Sequence, residues 1–191
     1  MLEDIVVSKV RLKLLSLFFA NPTELYHVRE LVRRTGEEIN AVRRELQNLE
    51  STGLLKKEPR GNRLYYWLNT NYPLYLELTR VMAKETGLGE QILKNRHRLG
   101  KINFCVFSGK FTRQMKRKED EVDVLVVGEV VMVELAALIK AEEERRGQEI
   151  NYTVMTNEEF CFRKERRDPF LLDILGKSRV MIIGDEEELL A

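Results

Sequence analysis

Histidine and cysteine are nearly missing from this sequence, with two of each in 191 residues. Two cysteines make no disulfide framework, and neither Cys105 nor Cys161 has a Cys or His at metal-ligand spacing, so no structural zinc is expected. Both thiols lie in apolar stretches and are expected to be buried. His27 and His97 leave little material for histidine-based catalysis, and each reads as a surface or helix-start residue. No apolar run approaches the length of a membrane-spanning helix. The opening Met1-Leu2-Glu3-Asp4 carries acid where a secretory signal carries positive charge, and a cytoplasmic location is the expectation. Internal repeats and low-complexity segments are also missing.

What remains is a globular composition, 43% hydrophobic and 33% charged, in a chain long enough for two domains. The net charge of +1 conceals an asymmetry: residues 1–100 hold 17 Lys+Arg against 12 Asp+Glu, and residues 101–191 hold 15 against 19. A basic front half is what attraction to phosphate requires.

Residues 28–68 carry the clearest pattern. After an apolar helix over 8–19, a short amphipathic turn from His27 to Val32 stops at Thr35-Gly36, a helix-ending pair. A second helix is predicted over 37–49, where Ile39, Val42, Leu46 and Leu49 recur at three- and four-residue steps and form one buried stripe. Asn40, Arg43, Arg44 and Gln47 lie off that stripe, and their side chains match base edges and phosphates in donor and acceptor geometry. Taken alone, such a face is more often solvation of a core helix. Strand-like runs over 54–58 and 63–68 then flank Pro59-Arg60-Gly61-Asn62, a turn rich in breakers, with Arg60 and Arg63 at its tip. The order of these elements favours DNA binding over mere solvation.

Through the run Ala41-Val42-Arg43-Arg44-Glu45-Leu46-Gln47-Asn48-Leu49-Glu50-Ser51-Thr52-Gly53-Leu54-Leu55 and through Gly61-Asn62-Arg63-Leu64-Tyr65-Tyr66, the sequence resembles the winged helix-turn-helix regulators of the arsenic-repressor-like superfamily. The resemblance implies a dimer on double-stranded DNA. Asn40, Arg43, Arg44 and Gln47 would reach bases or backbone, and Arg60 and Arg63 the flanking phosphate or minor groove.

Residues 74–84 are again helical in period, with Leu74, Leu78, Val81 and Met82 on one side, and Gly87-Leu88-Gly89 is read as a break before a short helix over 90–98. The stripe over 74–84 serves either a twin subunit or this chain's own core or the seam between its domains. From Lys101 onward strands and helices alternate: strands over 102–107, 122–127, 150–155 and 179–183, helices over 131–146, 157–166 and 169–175.

Ser108-Gly109 closes the first of those strands, and a basic loop of Lys110, Arg113, Lys116, Arg117 and Lys118 leads to Glu121-Val122-Asp123. In a strand, residues two apart face one side, so Glu121 and Asp123 are expected to project together, as paired carboxylates do around a divalent metal. This half resembles the nucleotidyltransferase superfamily of the polymerase-beta type. That resemblance implies nucleotide binding by Ser108, Gly109 and Lys110, and metal binding by Glu121 and Asp123. Three departures stand against activity. The turn is inverted from Gly-Ser, Glu121 replaces an Asp, and Asn151 sits where the third carboxylate belongs, with Glu149 beside it as an unmatched substitute. The basic loop, and Arg163-Lys164-Glu165-Arg166-Arg167 further on, could grip nucleotide phosphates, extend the DNA-contacting surface or simply be solvated.

The sequence therefore predicts an α+β protein. Residues 1–71 form a winged helix-turn-helix domain, residues 72–100 a helical linker and dimer element, and residues 101–191 a small α/β nucleotidyltransferase-like domain with a mixed sheet. The expected function is a sequence-specific, homodimeric DNA-binding transcriptional regulator. Its second domain is catalytically inactive and serves sensing, docking or assembly through a nucleotide or protein partner. No cofactor and no catalytic residue are assigned. The alternative is an active nucleotidyltransferase that uses Mg2+ and a nucleoside triphosphate, targeted by its helix-turn-helix.

Overall fold

The computed structural model describes residues 8–191, and the chain is α+β with one antiparallel and one mixed sheet. It divides into two compact units, one ending at Glu85 and one spanning Thr86–Ala191. A separate linker over 72–100 is not what the packing gives, because that span is shared between the two units. No helix among the described residues is long and apolar enough to cross a membrane.

In the first unit α1 spans Lys9–Ala20, and Ser8 caps it by accepting the Arg11 N–H at 3.2 Å. The strand β1, Tyr26–His27, leads into α2, Val28–Thr35, whose first turn is capped by His27 Nδ1 accepting the Glu30 N–H. Gly36 ends α2 at φ +68°, a left-handed conformation that a side chain disfavours. Then follow α3, Ile39–Ser51, capped by Glu38, and the strands β2, Leu55–Arg60, and β3, Arg63–Leu68. The helix α4, Tyr75–Glu85, closes the unit. The sheet order is β1-β3-β2, all antiparallel.

The stripe on α3 buries Val42, Leu46 and Leu49 against Leu14, Phe18, Leu31 and Tyr66. Each such side chain stabilises the unit by about 1.5–3 kcal/mol. Glu45 is buried beside the stripe, where Ser8 Oγ donates to its Oε1 at 2.7 Å and Arg11 Nε to its Oε2 at 2.8 Å. The hairpin turn is only Gly61-Asn62, because Pro59 and Arg60 continue β2 and pair with Leu64 and Arg63. On α4 the buried row is Tyr75, Thr79 and Met82 with Leu78 beside it, whereas Leu76, Val81 and, just before the helix, Leu74 are exposed. The single apolar face predicted from Leu74, Leu78, Val81 and Met82 is thus split between core and surface.

The second unit opens with α5, Gly87–Lys94. Gly87-Leu88-Gly89, read from the sequence as a break, is instead its first turn, with Leu88 and Gly89 buried. The strand β4, Gly100–Ser108, runs into the one-turn α6, Gly109–Thr112. After β5, Val124–Val130, the long α7, Met132–Arg146, crosses to β6, Tyr152–Met155. Two further helices, α8, Asn157–Glu165, and α9, Pro169–Gly176, precede β7, Arg179–Ile183, and α10, Glu186–Leu190. The sheet order is β6-β5-β4-β7; β5 and β6 are parallel and the other pairs antiparallel, so the sheet is mixed. A bulge in β4 falls between Ile102 and Phe104, opposite Gly128 of β5. Val106, Leu125, Val127 and Met155 pack against Phe160, Leu171, Leu175 and Leu189 from the helices.

Cys105 is fully buried, and desolvation pushes its thiol up to about 12. Cys161 is exposed, contrary to expectation, because α8 buries only Phe160 of its own residues and turns Cys161 outward.

Candidate nucleic-acid interface and the carboxylate pair

The apolar stripe of α3 fixes which side of the helix faces outward, and Asn40, Arg43, Arg44 and Gln47 are all exposed there. Among the described residues, none of these four side chains makes a hydrogen bond or ion pair. Lys57 Nζ donates to Glu50 Oε2 at 3.0 Å and ties β2 to the last turns of α3. Between α3, the start of α2 and β3 lies a groove of about 500 Å³. Its polar walls are His27, Arg29, Arg43, Gln47, Asn62 and Arg63, and its apolar floor is Val28, Leu64 and Tyr66.

The predicted residues divide around this groove. Arg43, Gln47 and Arg63 meet in it, while Asn40 and Arg44 stand on the exposed face of α3 outside its lining. Arg60 is turned elsewhere: it is ion-paired with Glu58 on the same strand, and its guanidinium lies 5.7 Å from the Tyr65 ring centroid. His27, Arg29 and Asn62 were missed in the sequence. Arg29 had a legible signal, being a cation at the start of α2 away from the buried Leu31. Arg29 of α2, Arg43 of α3 and Arg63 of β3 thus bring positive charge to one groove from three elements, an arrangement that favours an anion.

In the second unit Glu121 and Asp123 precede β5 instead of lying in it, so strand alternation does not set their directions. Lys110 Nζ donates to both oxygens of Glu121, at 2.8 and 2.7 Å, the Lys118 N–H donates at 2.9 Å, and Lys177 Nζ lies 3.3 Å away. The hydrogen bond from Lys110 is the main cause that holds the Glu121 carboxyl down at about 2. Asp123 faces other partners: the Asn151 N–H donates to its Oδ2 at 3.0 Å, and Arg117 Nε lies 2.7 Å from the same oxygen. Burial raises the Asp123 carboxyl, against the pull of those two groups. Asn151 also donates through Nδ2 to the Glu121 carbonyl at 3.0 Å, so it locks the pair's backbone. Glu149 is exposed and joins neither carboxylate.

This donor set does not fit a divalent ion as arranged, because each carboxylate is neutralised by its own lysine or arginine partners. The amides of the Ser108-Gly109 turn are likewise engaged. Ser108 N–H donates to the Asp123 carbonyl at 2.8 Å, Gly109 N–H to the Ser178 carbonyl at 2.7 Å, and Phe111 N–H to Ser108 Oγ at 3.1 Å. Lys110, the third predicted nucleotide-binding residue, is held by Glu121.

Acid titration should expose this cluster. Folded Glu121 titrates at about 2 against an ordinary value of 4.5, so its stabilisation is complete above about pH 5 and is lost as the pH falls towards 2. Glu121→Gln should flatten the fall in melting temperature across that window, and an acid limb identical to wild type would show that the lysine pairs contribute nothing.

Compared with known proteins, the chain matches no family model, no curated protein and no solved structure.

Proposed function

We propose that the protein is a sequence-specific transcriptional regulator that binds duplex DNA as a dimer, with its first unit acting as a winged helix-turn-helix. In this reading α3 enters the major groove and the β2–β3 hairpin is the wing. The observation that carries it is the groove where Arg29, Arg43 and Arg63 converge with Gln47 and Asn62. Phosphate contacts from Arg29, Arg44 and Arg63 would set register, and Asn40, Arg43 and Gln47 of α3 would read base edges. The exposed Leu74, just before α4, and Val81, two turns on along the same side, are the dimer surface in this proposal. The second unit serves as a nucleotidyltransferase-like body for docking, sensing or assembly in the cytoplasm. The enzymatic alternative requires Glu121 and Asp123 to release their lysine and arginine partners, and it is not adopted.

Selection of bound duplexes from a random pool tests this directly, since failure to retain any duplex would refute it. On a selected duplex, Arg63→Ala should weaken binding by about threefold to tenfold and lower the salt slope by about 1, as loss of a phosphate contact does. Arg60→Ala should change affinity by less than about twofold, in keeping with a surface cation already paired to a carboxylate. A larger effect at Arg60 than at Arg63 would mean that the DNA lies on the other face of the hairpin.

A further inference from the structure

We propose that Glu38 is a base-selecting residue of the α3 face, admitting a cytosine through its N4 amine at one position of each half-site. The inference rests on the duplex-reading function proposed above. Glu38 is exposed at the N-cap of α3, five and six residues before Arg43 and Arg44, whose positive charges act on its carboxylate. Its Oε2 accepts the Asn40 N–H at 2.8 Å and the Ala41 N–H at 3.0 Å, which fixes the carboxylate against the helix end. Oε1 has no hydrogen-bond or salt-bridge partner among the described residues. Beside Asn40, Arg43, Arg44 and Gln47, it is the one side chain that can only accept.

An acceptor presented to DNA is repelled by phosphate, by guanine N7 and O6 and by thymine O4. The donors available in the major groove are cytosine N4 and adenine N6. Adenine N6 is flanked by acceptors on both sides, its own N7 and the paired thymine O4. Cytosine N4 has an acceptor, guanine O6, on one side only and the apolar C5–H on the other. A fixed, ionised carboxylate therefore favours cytosine and disfavours every other base at the position it faces.

The test compares duplexes selected from one random pool by wild type, Glu38→Gln and Glu38→Asp. The amide of Gln keeps the capping oxygen but adds a donor; the shorter Asp keeps cap and charge but withdraws the free oxygen. Wild type should enrich cytosine at one fixed position of each half-site by about tenfold or more, the discrimination expected of a good base contact. Glu38→Gln should lose that enrichment, leave the other positions unchanged, and bind duplexes altered there more tightly than wild type does. If Glu38→Gln melts early, Glu38→Asp carries the comparison, with a weakened cytosine preference expected. Retention of duplex with the same base preference in wild type and both variants would overturn the role of Glu38 and leave the DNA-reading function standing. Failure of wild type to retain any duplex would overturn both.

Discussion

Replacing Arg43 and Arg44 together by alanine should lower affinity for a selected duplex by about a hundredfold at physiological salt, since each arginine contributes on the order of 1–3 kcal/mol at a base or phosphate. The melting temperature should stay within about 2 °C of wild type, because both side chains are exposed and unpartnered and alanine is a good helix former. The two single variants should differ in kind. Arg43 lines the groove beside Gln47, so Arg43→Ala should relax the base preference at one position as well as weaken binding. Arg44 lies outside the lining, and Arg44→Ala should weaken all duplexes alike and reduce the salt slope. Affinity within about threefold of wild type for the double variant would remove this face from the interface. Fluorescence anisotropy across a salt series, beside thermal melting, measures both quantities.

The second large effect concerns the fold. Gly128→Ala should destabilise the second unit by on the order of 3–5 kcal/mol, combining backbone strain with overpacking. Gly128 has φ +142°, and a Cβ there would lie 2.2 Å from the Lys101 carbonyl oxygen and 3.0 Å from the Ile102 Cα. Those atoms are backbone at the β4 bulge and cannot swing away as a side chain would. For a unit of this size, the loss corresponds to a fall of more than about 10 °C in its melting transition. Gly147→Ala is the matched control, with φ +66° at the end of α7 but open space around its Cβ. It should cost about 1 kcal/mol, the strain without the collision. Similar melting of the two variants would show that the bulge relaxes around the new methyl group.

The elements most legible in the sequence are those whose signals are local. The three- and four-residue steps of Ile39, Val42, Leu46 and Leu49 anticipate the buried side of α3, and Thr35-Gly36 marks the end of α2. Glu45 was hidden because the partners that let a carboxylate be buried, Ser8 and Arg11, are distant in sequence. Period alone could not divide α4: Leu74 and Val81 match the apolar pattern as well as Leu78 and Met82 do, and only packing decides. For the candidate sites, composition identified donor-rich residues on α3, but convergence with Arg29 and Asn62 depends on how α2 and the hairpin meet that helix. Glu121 and Asp123 misled because alternation holds only inside a strand, and β5 starts at Val124. Their cations come from Lys110, Arg117 and Lys177, and the last of these lies far along the chain.

The contact made by Glu45 has a mechanical meaning. Its carboxylate sits within the helix that bears Arg43 and Arg44, yet both of its charge-bearing oxygens are gripped by the first turn of α1. Sliding α3 past α1 would strand an ionised group away from water, and such a move is strongly disfavoured. The two helices are therefore tied against sliding at this point, and a displacement of the start of α1 is expected to carry α3, with Arg43 and Arg44, along with it.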